Sequence, residues 1–182
     1  MTYNPDIHHR NSVRLRTYDY RSAGAYFVTI CTFQQEAVLA EIINGATHLK
    51  PPGEIVQEEW FKSAKIRAEI ELDKFIIMPN HLHGIVFIDD SVGAHGMRPE
   101  SDEFEMRAHS RAPLHRAAKS LGSFIVGFKS ACTKRINEVR NTAGIPVWQR
   151  NYHERIIRNE EELLILRDYI LTNPVRWVGE SG

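Results

Sequence analysis

Two strand-like patterns, Glu71 to Met78 and His81 to Ile88, follow each other with only Pro79 and Asn80 between them. Proline cannot donate to a sheet ladder, and so short a break leaves two readings: an antiparallel hairpin, or one long strand bent at the proline. Two separate segments is the favoured reading. In the second run, residues two apart point to the same face, so His81, His83, Ile85 and Phe87 share one side while Leu82, Val86 and Ile88 share the other. Two imidazoles therefore stand side by side. Neutral imidazole nitrogens bind divalent first-row metals, but two of them hold an ion only loosely and a third oxygen or nitrogen is needed. An isolated His-x-His in a strand is more often structural or solvent-exposed, so the rest of the chain has to supply the case for a metal.

The neighbouring patterns define an α+β chain. Ala25 to Phe33, AYFVTICTF, is β-branched and aromatic on both faces, as expected of a central strand. A helix is predicted from about Glu54 to Ala68 after the Pro-Pro-Gly turn, with Ile55, Val56, Trp60, Phe61 and Ala64 at helical spacing. Residues 91–113 lose all periodicity and read as a mobile loop. A long amphipathic helix is predicted from Leu114 to Arg140, its apolar stripe formed by Ala118, Leu121, Ile125, Phe128, Cys132, Ile136 and Val139. Its face through Arg116, Ser120, Ser123, Gly127, Ser130 and Lys134 is small and basic, suited either to a sugar-phosphate chain or to close helix packing. Tyr152 to Arg158 reads as a short strand, and Asn159 with Glu162 forms the signature of a capping box opening a last helix.

In that last segment, RDYILTNPVRW, Tyr169 and Asn173 are four residues apart and share a helix face. Pro174 disfavours helical geometry at Asn173, so the helix is expected to end there with the amide turned inward. The plain alternative makes Tyr169 a core aromatic and Asn173 a C-terminal cap.

Charge excludes a protein that coats nucleic acid, because 23 Lys and Arg balance 23 Asp and Glu. The charges are nevertheless segregated: Met106 to Arg140 holds eight basic residues against Glu138 alone, and Arg10, Arg14, Arg16 and Arg21 make a basic arm within residues 1–24. A neutral total thus conceals a face that could meet a phosphate backbone. No apolar run approaches the ~18 residues of a membrane span, the first residues lack the apolar core of a secretory signal, and Cys31 and Cys132 are too few for a disulfide framework or a four-cysteine zinc site. One domain over residues 1–182, in the cytoplasm and off the membrane, is the expectation.

Five stretches taken together, RTYDYRSAGAYFVTICT, MPNHLHGIV, GSFIVGFKSACTKRIN, WQRNYHERIIRN and YILTNPVRW, resemble the REP-associated tyrosine transposases, relatives of the single-tyrosine HUH transposases of bacterial insertion sequences. The resemblance spans nearly the whole chain and departs from the family in the variable loop at 91–113. It implies a central antiparallel sheet flanked by helices, the ferredoxin-like or RRM-like architecture of HUH endonucleases. It assigns His81 and His83 to the histidine pair, Tyr169 to the nucleophile and Asn173 to the third metal ligand, with Mg²⁺ or Mn²⁺ as the ion and no nucleotide cofactor. Tyr152 is the rival nucleophile, disfavoured because it has no asparagine one turn on.

The same resemblance implies a transposase and endonuclease that cuts and rejoins single-stranded DNA beside imperfect hairpins such as REP elements, through a covalent 5′-phosphotyrosine. Arg14, Arg16, Lys129, Lys134, Arg135, Arg150 and Arg155 are the candidate DNA contacts, with Trp148 and Tyr152 as stacking partners. A monomer is favoured over a homodimer. Two other functions stay open: a catalytically idle protein that binds hairpin or single-stranded DNA, and a metal-dependent nuclease in which water attacks.

Overall fold

The computed structural model of the protein describes residues 23–89 and 120–180. Arg14, Arg16 and the rest of residues 1–22, the expected loop at 91–113 and the expected first helical turns at 114–119 lie outside the described residues.

Strand β1 (Gly24–Cys31) occupies the middle of a four-stranded antiparallel sheet, between β5 (His81–Ile88) and β6 (His153–Ile157), with β4 (Ile70–Ile77) outside β5. Helices α1 (Pro51–Lys65) and α2 (Leu121–Arg140) cover one face, and α3 (Glu160–Glu180) covers the other. Strand, helix, two strands, helix, strand in the spatial order β4-β5-β1-β6 is the ferredoxin-like arrangement. The α+β architecture expected from the sequence is therefore observed. Among the described residues no helix is long and apolar enough to cross a membrane.

Alternation along the strands decides which side chains meet which helix. Tyr26, Val28 and Ile30 from β1 and Leu82, Val86 and Ile88 from β5 are buried with Trp60 of α1 and Phe124 and Phe128 of α2. On the reverse face Ile85 and Ile157 form a smaller cluster with Leu163, Leu166 and Ile170 of α3, with Phe27, Ile76 and Phe87 packed beside it. Glycine at position 84 is required by the first cluster, since a Cβ there would lie 2.6 Å from Cζ2 of Trp60. Trp60 has no room to retreat, being fully buried between Phe75, Phe124 and Phe128.

Two elements differ from the sequence reading. Helix α1 begins at Pro51 rather than Glu54, so the Pro-Pro-Gly segment is its first turn and not a turn before it. Proline has its φ preset for that position and loses nothing there, because the first N–H groups of a helix have no partner within it. A hairpin, β2 (Ala40–Ile43) and β3 (Ala46–Leu49), also interrupts the segment before α1. Its Asn44-Gly45 turn has both residues at positive φ, 53° and 74°, the conformation that two-residue hairpins favour.

The helix ends follow the expected chemistry. Ser120, expected inside a helix running from Leu114, is instead the extended N-cap of α2, which starts at Leu121: it accepts from the Ser123 N–H at 3.2 Å while Ser123 Oγ accepts from the Ser120 N–H at 3.1 Å. Asn159 Oδ1 accepts from the Glu162 N–H at 2.8 Å, and the Glu162 carboxylate returns to the Arg158 N–H at 2.9 Å. Val139 is not on the buried stripe of α2: it is 63% exposed, and Phe124 is buried in the stripe instead.

Replacing Gly84 by alanine is expected to destabilise the protein by about 1–3 kcal/mol through overpacking against Trp60. Urea titration reads this as a lower midpoint with an unchanged slope.

Candidate active site

The hairpin that joins β4 to β5 sets the site. Met78 N–H donates to the His81 carbonyl at 2.8 Å and closes the turn. The carbonyls of Pro79 and Asn80 accept from the Leu39 and Thr32 N–H groups, both at 2.9 Å, and Thr32 Oγ1 adds a second bond to the Asn80 carbonyl at 2.9 Å. The two residues that break the strand pattern are thus anchored to the chain that follows β1. From this turn β5 runs antiparallel to β1 with His81 opposite Cys31 and His83 opposite Thr29. Both imidazoles point to the α3 face, as the alternation predicts.

Nε2 of His81 and Nε2 of His83 are 3.1 Å apart. The other nitrogen of each ring is taken: the Asn80 side-chain oxygen accepts from His81 Nδ1 at 2.7 Å, and the Thr29 hydroxyl lies 2.8 Å from His83 Nδ1. Asn80 fixes the His81 tautomer and leaves its Nε2 lone pair directed at His83. Thr29, able to donate or accept, permits either tautomer of His83: one donates to His81, the other presents a second lone pair to a cation. Two imidazole nitrogens sharing an ion at about 2.1 Å, at a right angle or slightly wider, would stand about 3.0–3.2 Å apart. The separation of the two nitrogens is therefore compatible with a shared divalent ion.

Burial keeps both rings neutral. It lowers the His83 imidazole to about 3, with the neighbouring His81 adding to the effect, and the His81 imidazole to about 4. His83 is also stacked on Phe27, ring centroids 5.2 Å apart.

Helix α3 brings the remaining groups. The Tyr169 hydroxyl is 3.5 Å from His83 Nε2, a contact at the outer limit of hydrogen bonding, and its ring meets His83 edge-on at 5.3 Å. Tyr169 is half-buried rather than enclosed. Asn173, one turn on, is buried. Trp177, a further turn on, lies 5.8 Å from the His81 ring, and the Arg176 guanidinium carbon is 5.7 Å from the Tyr169 ring centroid. Among the described residues no three His, Cys, Asp or Glu side chains converge on one point.

The expected helix end at Asn173 is not observed, because α3 continues through Pro174 to Glu180. Proline removes one N–H bond to the Ile170 carbonyl, but Trp177 against His81 and Val175 beside Gly45 give the later turns their own packing. Asn173 is thus held on a continuous helix in phase with Tyr169.

The candidate DNA contacts divide into two groups. Lys129 donates to the carbonyls of Gln149, Arg150 and Asn151 at 2.5, 3.3 and 3.4 Å. Arg135 binds Glu58 at 2.6 Å and Glu59 at 2.9 Å, and Arg155 binds Glu162 at 2.5 Å. These three already have partners within the protein, although the Arg155 side chain stays 66% exposed and Lys129 also lines the same groove as Lys134 and Arg150. Lys134 is 78% exposed with Glu138 at 4.0 Å, Arg150 is exposed, and both line a groove of about 900 Å³ between α2 and residues 141–150. That groove takes no residue from α3 or β5, so it is separate from the histidine site. Trp148 is buried in the main core and is not available for base stacking, and Tyr152 packs on that same core, on the face opposite the imidazoles. The small face of α2 is partly closed by Arg67, which donates to Ser123 Oγ at 3.0 Å and to the Ser123 carbonyl at 3.2 Å.

Sequence reasoning did not single out Thr29, Phe27, Arg176 or Trp177. Thr29 and Phe27 become visible only through the β1–β5 register, whereas Arg176 and Trp177 stand seven and eight residues after Tyr169 and were accessible to helical spacing.

No family model matches the chain. A solved REP-associated tyrosine transposase, bound to a REP hairpin, superposes at a TM-score of 0.56 over 91% of this chain and 74% of that one, with 17% identity. The fold of the chain is the fold of that transposase. A Deinococcus radiodurans structure with 13% identity over 88% of this chain and 98% of that one, at a TM-score of 0.42, is too distant to bear on the fold. In sequence, the chain is 38% identical to an uncharacterized protein of Haemophilus influenzae over 96% of its own length and 93% of the other's, and it belongs to the same family as that protein.

A stability prediction follows from the neutral imidazoles. The unfolded rings protonate near ~6.5, while the folded ones resist down to about 4 and about 3. Below pH 6.5 the unfolded state binds more protons, so the pair's contribution is complete above that pH and declines as the pH falls toward the folded values. In metal-free buffer the denaturation free energy is expected to drop between pH 6.5 and 4.5, on the order of 1 kcal/mol per pH unit for each ring. His83→Gln is expected to remove about half of that slope, measured by urea titration at each pH.

Proposed function

We propose that the protein is a transposase-type endonuclease that cleaves and rejoins single-stranded DNA at hairpin-associated sites through a covalent 5′-phosphotyrosine. The observation that carries this reading is the 3.5 Å approach of the Tyr169 hydroxyl to His83 Nε2, itself 3.1 Å from His81 Nε2. The Tyr169 ring also packs edge-on against Phe27, but a half-buried phenolic hydroxyl beside two neutral imidazoles is where a nucleophile next to a metal site would stand. Hairpin DNA as the partner is supported by the hairpin bound to the REP-associated transposase that shares the fold.

His81, His83 and the Asn173 amide oxygen would hold Mg²⁺ or Mn²⁺. Such an ion, when bound, supplies positive charge to the oxygens of the scissile phosphate. Asn80 and Thr29 fix the ring orientations in which both Nε2 atoms face the same point. Phe27 and Trp177 form apolar walls on the two imidazoles and exclude water from their faces. Tyr169 attacks phosphorus, the Oη–P bond forms, and the bond from phosphorus to the 3′ oxygen breaks, leaving a free 3′ hydroxyl and a diester on the phenol. Reversal by an incoming 3′ hydroxyl rejoins the strand with no ATP, because one phosphodiester is exchanged for another. A monomer is the favoured form, because Tyr169 already approaches His83 within one chain.

Incubating the protein with hairpin-bearing single-stranded oligonucleotides and Mn²⁺ is expected to yield a protein–DNA species that survives denaturing electrophoresis. Tyr169→Phe is expected to abolish it while leaving hairpin binding within about threefold, and His83→Ala to slow it at least ~100-fold. Cleavage by Tyr169→Phe without an adduct would instead identify a nuclease that uses water, and hairpin binding with no adduct from the unaltered protein would identify a binding protein. Imidazoles favour Mn²⁺ over Mg²⁺, so the adduct is expected to form faster with Mn²⁺. Thr29→Val, which removes the partner of His83 Nδ1, is expected to weaken Mn²⁺ binding about 10–100-fold by calorimetric titration in the presence of DNA.

A further inference from the structure

We propose that Arg176 is a further catalytic residue, whose guanidinium binds a non-bridging oxygen of the phosphodiester as it passes onto Tyr169. This rests on the strand-transfer reading above and adds a residue to it. Tyr169, Asn173 and Arg176 occupy positions i, i+4 and i+7 of α3 and share one face. Arg176 lies against the Tyr169 ring, its Cζ 5.7 Å from the centroid, and the residue is exposed.

The other arginines that brace the fold show what an arginine in this protein does when its role is structural. Arg67 binds Glu69 and Ser123, Arg135 binds Glu58 and Glu59, Arg155 binds Glu162, and Arg167 binds Asp73 at 2.6 Å. Arg176 has no carboxylate partner among the described residues, and its guanidinium lies over the Tyr169 ring. An exposed cation–π contact is worth only about 0.5–1 kcal/mol. That is too little to fix the side chain and enough to keep its five donors beside the phenol.

The chemistry at that position calls for a cation. As the Oη–P bond forms, the P–O3′ bond breaks and its electron pair leaves with the 3′ oxygen. The phenolic proton passes to solvent, the 3′ oxygen takes one from solvent, and nothing is oxidised or reduced. Negative charge builds on the non-bridging oxygens along the way, and a planar guanidinium matches two such oxygens. Because the phosphoryl group ends on Tyr169, a cation carried by the same helix two turns away stays with it through both the forward and the reverse step.

The test is single-turnover adduct formation by the full chain with Mn²⁺, on a hairpin substrate carrying either an ordinary phosphodiester or an uncharged methylphosphonate at the scissile position. On the phosphodiester, Arg176→Ala is expected to react about 100-fold more slowly than the unaltered protein and Arg176→Lys roughly 10-fold more slowly, with hairpin dissociation constants within about threefold. On the methylphosphonate, uncharged in the ground state and with one non-bridging oxygen in place of two, the guanidinium has less charge to neutralise, and the deficit of Arg176→Ala is expected to shrink to about threefold or less. Equal rates on the phosphodiester would overturn the assignment, and so would a deficit of Arg176→Ala that persists undiminished on the methylphosphonate, which would mark Arg176 as a support for the helix. Failure of the unaltered protein to form any adduct would overturn the strand-transfer reading together with this one, whereas an adduct that Arg176→Ala forms equally fast sinks this one alone.

Discussion

The pairing of β5 with β1 is the constraint from which the rest of the site follows. Side chains alternate with a period of two, so a one-residue slip would turn His81 and His83 toward the α1/α2 core and send Leu82 and Val86 to α3. The slip is prevented from two sides. Gly84 fits beneath Trp60 only in the observed register, and the Pro79-Asn80 turn is bonded to Leu39 and Thr32. Packing that looks purely structural on one face of the sheet therefore positions the imidazoles on the other.

Those imidazoles would stabilise an ordinary core poorly. Burying two rings that each need a partner costs free energy unless every nitrogen is satisfied. Here both Nδ1 atoms have partners, while the two Nε2 atoms face each other with a phenol alongside. Polar groups concentrated at one point of an otherwise apolar face, and held neutral by that face, would suit the proposed cation site.

Much of this was legible in local pattern. The alternation in HLHGIVFI put both histidines on one face, and Asn159 with Glu162 marked the start of α3, because such signals depend only on residues a few positions apart. The Asn44-Gly45 turn was equally local and equally readable, yet it sits in strands too short to show alternation. The fates of the basic residues were not legible. Arg135 meets Glu59 and Lys129 meets the Gln149 carbonyl only because α1, α2 and the chain before β6 are brought together by the fold. Charge counted along the sequence therefore does not tell which cations already have partners within the fold. The end of α3 was misjudged for the same reason, since contacts beyond Pro174 outweigh the local preference at Asn173.

The two halves of the site differ in how firmly they are held. The imidazoles belong to the central sheet, whose β1 and β5 strands are shared by both cores. The phenol belongs to α3, which is anchored by the smaller cluster of Leu163, Leu166 and Ile170 and leaves Leu164, Ile165 and Leu171 exposed. Its helical ladder is also weakened near the middle by Pro174. An element with few buried anchors is the one that opens at least cost. In the proposed strand transfer that asymmetry would be useful: the imidazoles on β5 would keep their place while the helix carrying Tyr169 and Asn173 adjusts, and a ligand set split between β5 and α3 would tie the position of the helix to the proposed ion.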